Sequence, residues 1–123
     1  MKLPEKEEQL MKHLWSLKKA FMKELMDAYP EPKPAASTLA TNLKRLQKKK
    51  AVGYKTFGNV RQYHPLISKE KYFSQQLKGL IGEFFEGSKL KFASFFTSET
   101  DLSENELLEL KEMLEEKLNA DKK

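Results

Sequence analysis

Residues 35–65 read AASTLATNLKRLQKKKAVGYKTFGNVRQYHP, and the fold turns on how this stretch divides. From Ala35 to Lys49 the apolar period is helical. Leu39, Leu43 and Leu46 recur at steps of four and three and form one narrow stripe. Ser37, Thr38, Ala40, Thr41, Lys44, Arg45 and Lys48 cover the rest of the circumference. An ordinary surface helix would pair glutamates with lysines at i,i+4, and this one contains no glutamate. A thin buried edge beneath small polar and basic residues suits a helix that lies in a groove. After Lys50 the period drops to two. Val52–Phe57 and Val60–His64 read as short strands joined at Gly58-Asn59, a tight hairpin turn, and Pro65 ends the second. Lys55, Arg61 and Gln62 give this ribbon a polar, basic face, with Asn59 at its tip.

The charge map singles out the same region. The chain has 123 residues and a formal net charge of +5. Residues 1–67 hold 14 Lys+Arg against 6 Asp+Glu, whereas residues 68–123 hold 9 against 12, so a +8 half precedes a −3 half. Between Pro32 and Lys69 there is no carboxylate at all, while Lys33, Lys44, Arg45, Lys48, Lys49, Lys50, Lys55, Arg61 and Lys69 all fall there. Solvated faces normally mix both signs. An acid-free surface is what a polyanion requires, because a carboxylate facing phosphates costs Coulomb energy and releases no counterion.

N-terminal to this stretch, Glu5 to Tyr29 reads as helix. Leu10, Leu14, Leu17, Phe21, Leu25 and Met26 recur at helical steps, widened by Met11, Trp15 and Met22. No Gly or Pro lies between Pro4 and Pro30, so one long helix and two helices with a hidden joint near Leu17–Lys19 both remain open. Pro30-Glu31-Pro32-Lys33-Pro34 is a stiff loop, since three prolines remove donors and force extended backbone. Helices followed by a β-hairpin, in the basic half, is the order of a winged helix-turn-helix domain, here residues 1–67.

The C-terminal half, residues 68–123, reads differently. Ser68 is an N-cap for a helix reaching about Phe85, Gly87 breaks it, and Leu90 to Phe96 form a short apolar helix. Ser103 and Glu106 make a capping box for a last amphipathic helix. Three short helices cannot by themselves bury Phe73, Leu77, Leu80, Phe84, Phe92, Phe95, Phe96, Leu107, Leu110 and Leu114, so a second copy of the chain is the economical partner. The expected fold class is mainly α: three helices and a hairpin wing, then an α-helical dimerisation arm.

Several function classes drop out. With no cysteine, thiolate metal sites, disulfides and cysteine nucleophiles are excluded. No apolar run approaches a membrane span and Met1-Lys2-Leu3-Pro4-Glu5 has no signal-peptide core, so a cytoplasmic location without membrane insertion is expected. No glycine-rich phosphate loop or nucleophile elbow is present, and the histidines His13 and His64 have no second ligand near them in sequence. The expectation is no enzyme, no metal and no cofactor.

Together these motifs resemble the penicillinase-repressor family, the BlaI/MecI/CopY group of bacterial winged-helix regulators, over nearly the whole chain. Leu10-Met11 followed by Leu14-Trp15 is similar to its first-helix signature, and Ser37 to Lys49 is similar to its recognition helix. Gly53-Tyr54 and Gly58 to Leu66 resemble its wing and exit. Ala93 to Phe96, with Leu102-Ser103 and Glu106-Leu107, resembles its dimer helices. The resemblance implies a homodimer that represses genes beside an inverted-repeat, double-stranded DNA operator. It places Ser37, Thr38, Ala40, Thr41 and Lys44 in the groove, Arg45 and Lys48 on phosphates, and Lys55, Asn59 and Arg61 on the wing.

There are departures from the family's pattern. Ala40 stands where many members carry a long polar or basic residue, which implies a different operator. Lys18 and Lys50 stand where glycine is usual, and Phe21 replaces a capping threonine. Absence of cysteine removes the thiolate copper-sensing branch. The β-lactam branch is cleaved between Asn and Phe by a membrane sensor metalloprotease, and the corresponding region here is Ser94, Phe95 and Phe96, without Asn. A basic winged-helix module that holds an acidic protein partner is the alternative reading. RNA ranks below both, because no aromatic-studded sheet is available for base stacking.

Overall fold

The run from Glu5 to Tyr29 proves to be two helices. In the computed structural model, which describes residues 2–121, α1 (Glu5–Leu17) stops where Lys18 takes φ 71° and its amide donates to the Leu14 carbonyl at 2.7 Å. Two residues, Ala20–Phe21, then form a short strand, β1, before α2 (Met22–Ala28) begins. The joint resets the helical phase. Leu17 is consequently exposed and Phe21 only half-buried, although both fit the stripe expected of one continuous helix. Phe21 precedes α2 without an acceptor in its side chain. Glu24 still reaches back to the Phe21 amide at 2.9 Å, so only one of the two capping-box bonds forms.

The proline loop follows and leads into α3 (Ala36–Lys48). Lys50, with φ 63°, turns the chain from α3 into the hairpin β2 (Val52–Phe57) and β3 (Val60–Pro65). At the hairpin turn Gly58 has φ 61°, where glycine carries no steric penalty. The sheet has three strands in the order β1-β3-β2, all antiparallel, with Ala20 opposite Tyr63 and Tyr54 opposite Tyr63. A two-residue strand leaves no periodicity to detect, which is why β1 is not legible in the sequence.

One core holds these elements together. Leu10, Met11 and Leu14 of α1, Leu25 of α2, Leu39, Leu43 and Leu46 of α3, and Val52 and Tyr63 of the hairpin are buried in it. Fully burying a side chain of this kind contributes roughly 1.5–3 kcal/mol. The start of α4 (Lys69–Phe84) belongs to the same core. Tyr72 is 0 % exposed, and its hydroxyl accepts from the Leu3 amide at 3.0 Å and donates to Glu8 Oε2 at 2.7 Å. Burial first, and then the Glu8 hydrogen bond, raise the Tyr72 pKa. Trp15 Nε1 donates to the Ile67 carbonyl at 2.8 Å, and the Trp15 ring packs on Tyr72 and Phe73. Compact units therefore divide within α4, as Met1–Lys78 and Gly79–Lys123, and Ile67, Tyr72 and Phe73 pack with the first.

The second unit comprises the end of α4, α5 (Lys89–Glu99) and α6 (Glu104–Asp121). Glu86 and Gly87, both at positive φ, end α4, with the Gly87 amide donating back to the Ile81 carbonyl. Ser88 caps α5 through the Lys91 amide, and Ser103 with Glu106 forms the reciprocal box that opens α6. Both hydrogen bonds from Ser103 hold the Glu106 carboxyl below its usual pKa. Phe85, Phe92, Phe95 and Phe96 form a ring cluster, yet no side chain of α5 or α6 is buried.

Candidate nucleic-acid interface

The outer face of α3 is built by what its inner face buries. Leu39, Asn42, Leu43 and Leu46 point inward, so Ser37, Thr38, Ala40, Thr41, Lys44, Arg45 and Lys48 are all exposed on the opposite side. All seven residues expected in the groove or on phosphates from α3 thus share one surface. Thr41 Oγ1 donates to the Ser37 carbonyl at 2.9 Å, which leaves its methyl as the group free for contact. No side chain caps α3 at Ala35, and the Thr38 amide of its first turn donates to the Ala35 carbonyl at 3.0 Å.

The first helix adds to this surface. Lys6 of α1 lines a groove of about 290 Å³ together with Ser37, Thr38, Thr41, Asn42 and Arg45. Nothing in the linear sequence marks Lys6, because it reaches α3 only through the packing of α1 on that helix.

Two cations of the acid-free stretch have structural partners instead. Lys49 Nζ lies 2.6 Å from Glu7 Oε1, whose side chain is 3 % exposed. Lys33 Nζ donates to the carbonyls of Met26, Asp27 and Tyr29 and so satisfies the C-terminal end of α2, whose own last turn has no basic residue. An acid-free count alone cannot separate such lysines from phosphate ligands.

On the wing, pairing splits the expected residues between two faces. Side chains alternate along a strand, and the register sets Lys55 opposite Gln62 and Thr56 opposite Arg61. Lys55 and Gln62 therefore share one face, while Arg61 lies on the other with Tyr54 and Tyr63. This corrects the expectation of a single basic face. Arg61 is held there by a cation–π contact, its guanidinium 4.2 Å above the Tyr54 ring. Tyr54 was legible only as a strand former, and its role under Arg61 appears once the register is known. Asn59 sits at the turn, exposed. Gly53 allows the close approach of His64, since a Cβ there would lie 3.0 Å from His64 Nε2.

The expected dimerisation residues divide by environment. Leu77, Leu80, Phe84, Phe95, Phe96, Leu107 and Leu114 are exposed, Phe92 and Leu110 are half-buried, and Phe73 packs against the core of the first unit. Ser94 and Phe95 lie inside α5, where the Ser94 carbonyl also accepts from Thr97 and Ser98 hydroxyls. Among the described residues no group of three or more His, Asp or Glu side chains is placed to hold a metal ion, and no helix is long and apolar enough to cross a membrane.

A three-stranded antiparallel sheet, two helices packed on α3 and an exposed α3 face free of carboxylates define a winged-helix domain of the kind that binds DNA. A sequence model of the penicillinase repressor family matches residues 3–116, so the chain belongs to that family of DNA-binding transcriptional repressors, which are not enzymes. A solved structure described as the CopR repressor is 29 % identical over 55 % of this chain and 100 % of its own, with a TM-score of 0.46. No curated protein matches the chain.

Proposed function

We propose that the chain acts in the cytoplasm as a homodimeric repressor, docking α3 in the major groove of each half of an inverted-repeat operator. The observation that carries this reading is the outer face of α3, where seven exposed residues include three cations and no carboxylate. Ser37, Thr38, Ala40, Thr41 and Lys44 read or line the groove, Arg45 and Lys48 take phosphates, and Lys55, Asn59 and Arg61 meet the flanking backbone from the wing. Dimerisation through residues 68–123 is supported by the apolar side chains that α4, α5 and α6 leave uncovered. Phe84 is 70 % exposed and Leu114 62 %, a degree of exposure that a second copy would remove.

Selection from random duplex DNA, with sequencing of the bound sites, tests the reading. A palindrome with half-sites about one or two helical turns apart is expected. Weak, sequence-indifferent binding, with an acidic protein recovered instead, would support the protein-interaction alternative.

Derepression by a membrane sensor metalloprotease, cutting at Ser94–Phe95 or Phe95–Phe96, is part of the same proposal. Both bonds are helical and must open to be cut. Severing the arm would remove the tether between half-sites and with it the effective concentration of the second one. Mass analysis after coexpression with a candidate sensor tests this, and an intact chain after induction overturns it.

A further inference from the structure

The first unit contains a cleft that the operator-facing surface does not use. It measures about 490 Å³ and is lined by Lys12, Trp15, Ser16 and Lys18 from the end of α1, by Pro65 at the end of β3, and by Ser68, Lys69 and Glu70 at the start of α4. That volume falls in the range of small-molecule sites. None of its residues belongs to α3 or to the wing tip.

Its chemistry is specific in three respects. Lys12, Lys18 and Lys69 form no salt bridge among the described residues, so the lining carries three unpaired lysines against one acidic residue, Glu70. Trp15 supplies a half-buried indole whose nitrogen is engaged by the Ile67 carbonyl, so the ring contributes an apolar surface in a fixed orientation. Ser68 Oγ accepts from the Lys71 amide, which leaves its hydroxyl proton free to donate to an anion. Cations and a hydroxyl around an aromatic wall select for negative charge on a flat apolar body.

We infer that this cleft binds a small aromatic anion, a one- or two-ring carboxylate or a molecule of the same chemistry. The ligand bridges α1, the end of β3 and the start of α4. Any effect on operator affinity rests on the repressor reading, whereas the binding itself does not.

The test is a titration of the full-length protein without DNA, following the single indole N–H resonance of Trp15 by two-dimensional NMR. The probes are 1-naphthoate, its uncharged amide and inorganic phosphate. A saturable shift with 1-naphthoate is expected, on the order of 1 mM for a probe of this size. Amide and phosphate should each bind about tenfold more weakly, and the double variant Lys12→Gln with Lys69→Gln should weaken naphthoate by a similar factor, because two exposed cations are removed together from a shared site. Equal binding of the amide, equal binding of phosphate, an unaltered double variant, or no saturable shift of the Trp15 resonance would each overturn the inference. Because DNA is absent, failure here leaves operator binding untouched, and failure of operator selection leaves this titration standing.

Discussion

Lys49 Nζ sits 2.6 Å from Glu7 Oε1, joining the end of the recognition helix to the first turns of α1. Glu7 is buried with the apolar residues Leu10, Met11 and Leu14 of α1, and Lys49 is its ion-pair partner. Lys48, one residue earlier, is exposed and has no salt bridge among the described residues. Adjacent lysines of the same run thus differ in role: Lys49 supports packing, whereas Lys48 is exposed and is the one proposed to meet DNA.

Replacing them should separate the two roles. Lys49→Ala strands a buried carboxylate, and after discounting for the partial exposure of Lys49 it should cost about 1–2 kcal/mol of stability. Lys48→Ala should leave the melting temperature unchanged and reduce the slope of log affinity against log salt by about 0.9, the value for one lost phosphate contact. Thermal melts and binding isotherms at several salt concentrations check both. A loss of stability in Lys48→Ala would remove it from the interface.

Within the groove, Thr41 offers a sharper test than truncation alone. Its hydroxyl proton is already donated to the Ser37 carbonyl, so under the proposed docking its methyl is the group offered to a thymine methyl. Thr41→Ser keeps the hydroxyl and deletes the methyl. It should change preference at one base step by about 1 kcal/mol, the lower end of a single-base discrimination. Arg45→Ala, by contrast, should weaken binding to every sequence. Equal losses of Thr41→Ser on operator and random DNA would mean that Thr41 reads no base.

Tyr54 is the support of the wing cation. Removing its ring in Tyr54→Ala frees Arg61 to sample other rotamers, and DNA affinity should fall two- to fivefold, in line with about 0.5–1 kcal/mol for an exposed cation–π contact. Tyr54→Phe retains the ring face and should bind as the parent does. If both variants bind alike, the stacking at 4.2 Å does not position Arg61 on DNA.

These positions also show what could be read in one dimension. The exposed face of α3 was legible because three leucines at helical spacing fix which face is left over, and the hairpin was legible because Gly58-Asn59 interrupts a period of two. Between one helix and two with a joint near Leu17–Lys19 the sequence left both open, since Lys18 adopts its positive φ without the glycine that would mark it, and the joint lies at Lys18. The division of the wing into two faces was not legible, because it depends on pairing register and not on composition. Lys33 and Lys49 counted toward the acid-free basic stretch, because their partners, the carbonyls closing α2 and the Glu7 carboxylate, lie elsewhere in the chain or belong to the backbone.

Backbone strain at Lys18 gives a stability prediction with opposing terms. A left-handed φ costs a non-glycine residue roughly 1–2 kcal/mol. Glycine recovers that cost but loses roughly 0.5–1 kcal/mol through the greater freedom of its unfolded chain. Lys18→Gly should therefore stabilise the first unit by about 0.5–1 kcal/mol, raising the melting temperature by a few degrees. A lower melting temperature would mean that the Lys18 side chain contributes more to packing than its exposure suggests.

His13 provides a pH dependence whose sign is fixed by its environment. Its ring lies 4.3 Å from that of Tyr29, and burial lowers its pKa below 6.5. The unfolded chain therefore binds a proton more readily than the folded one, and stability rises with pH between the two values. His13's contribution is fully present above pH 6.5 and is lost as pH falls through the lowered folded value. His13→Phe keeps an aromatic ring against Tyr29 and removes the proton, so the difference in stability between parent and variant should grow as the solution is acidified. Urea unfolding at a series of pH values on either side of 6.5 measures that difference directly. A gap that stays constant across the series would place His13 in water when folded, with its ring contact contributing nothing to its titration.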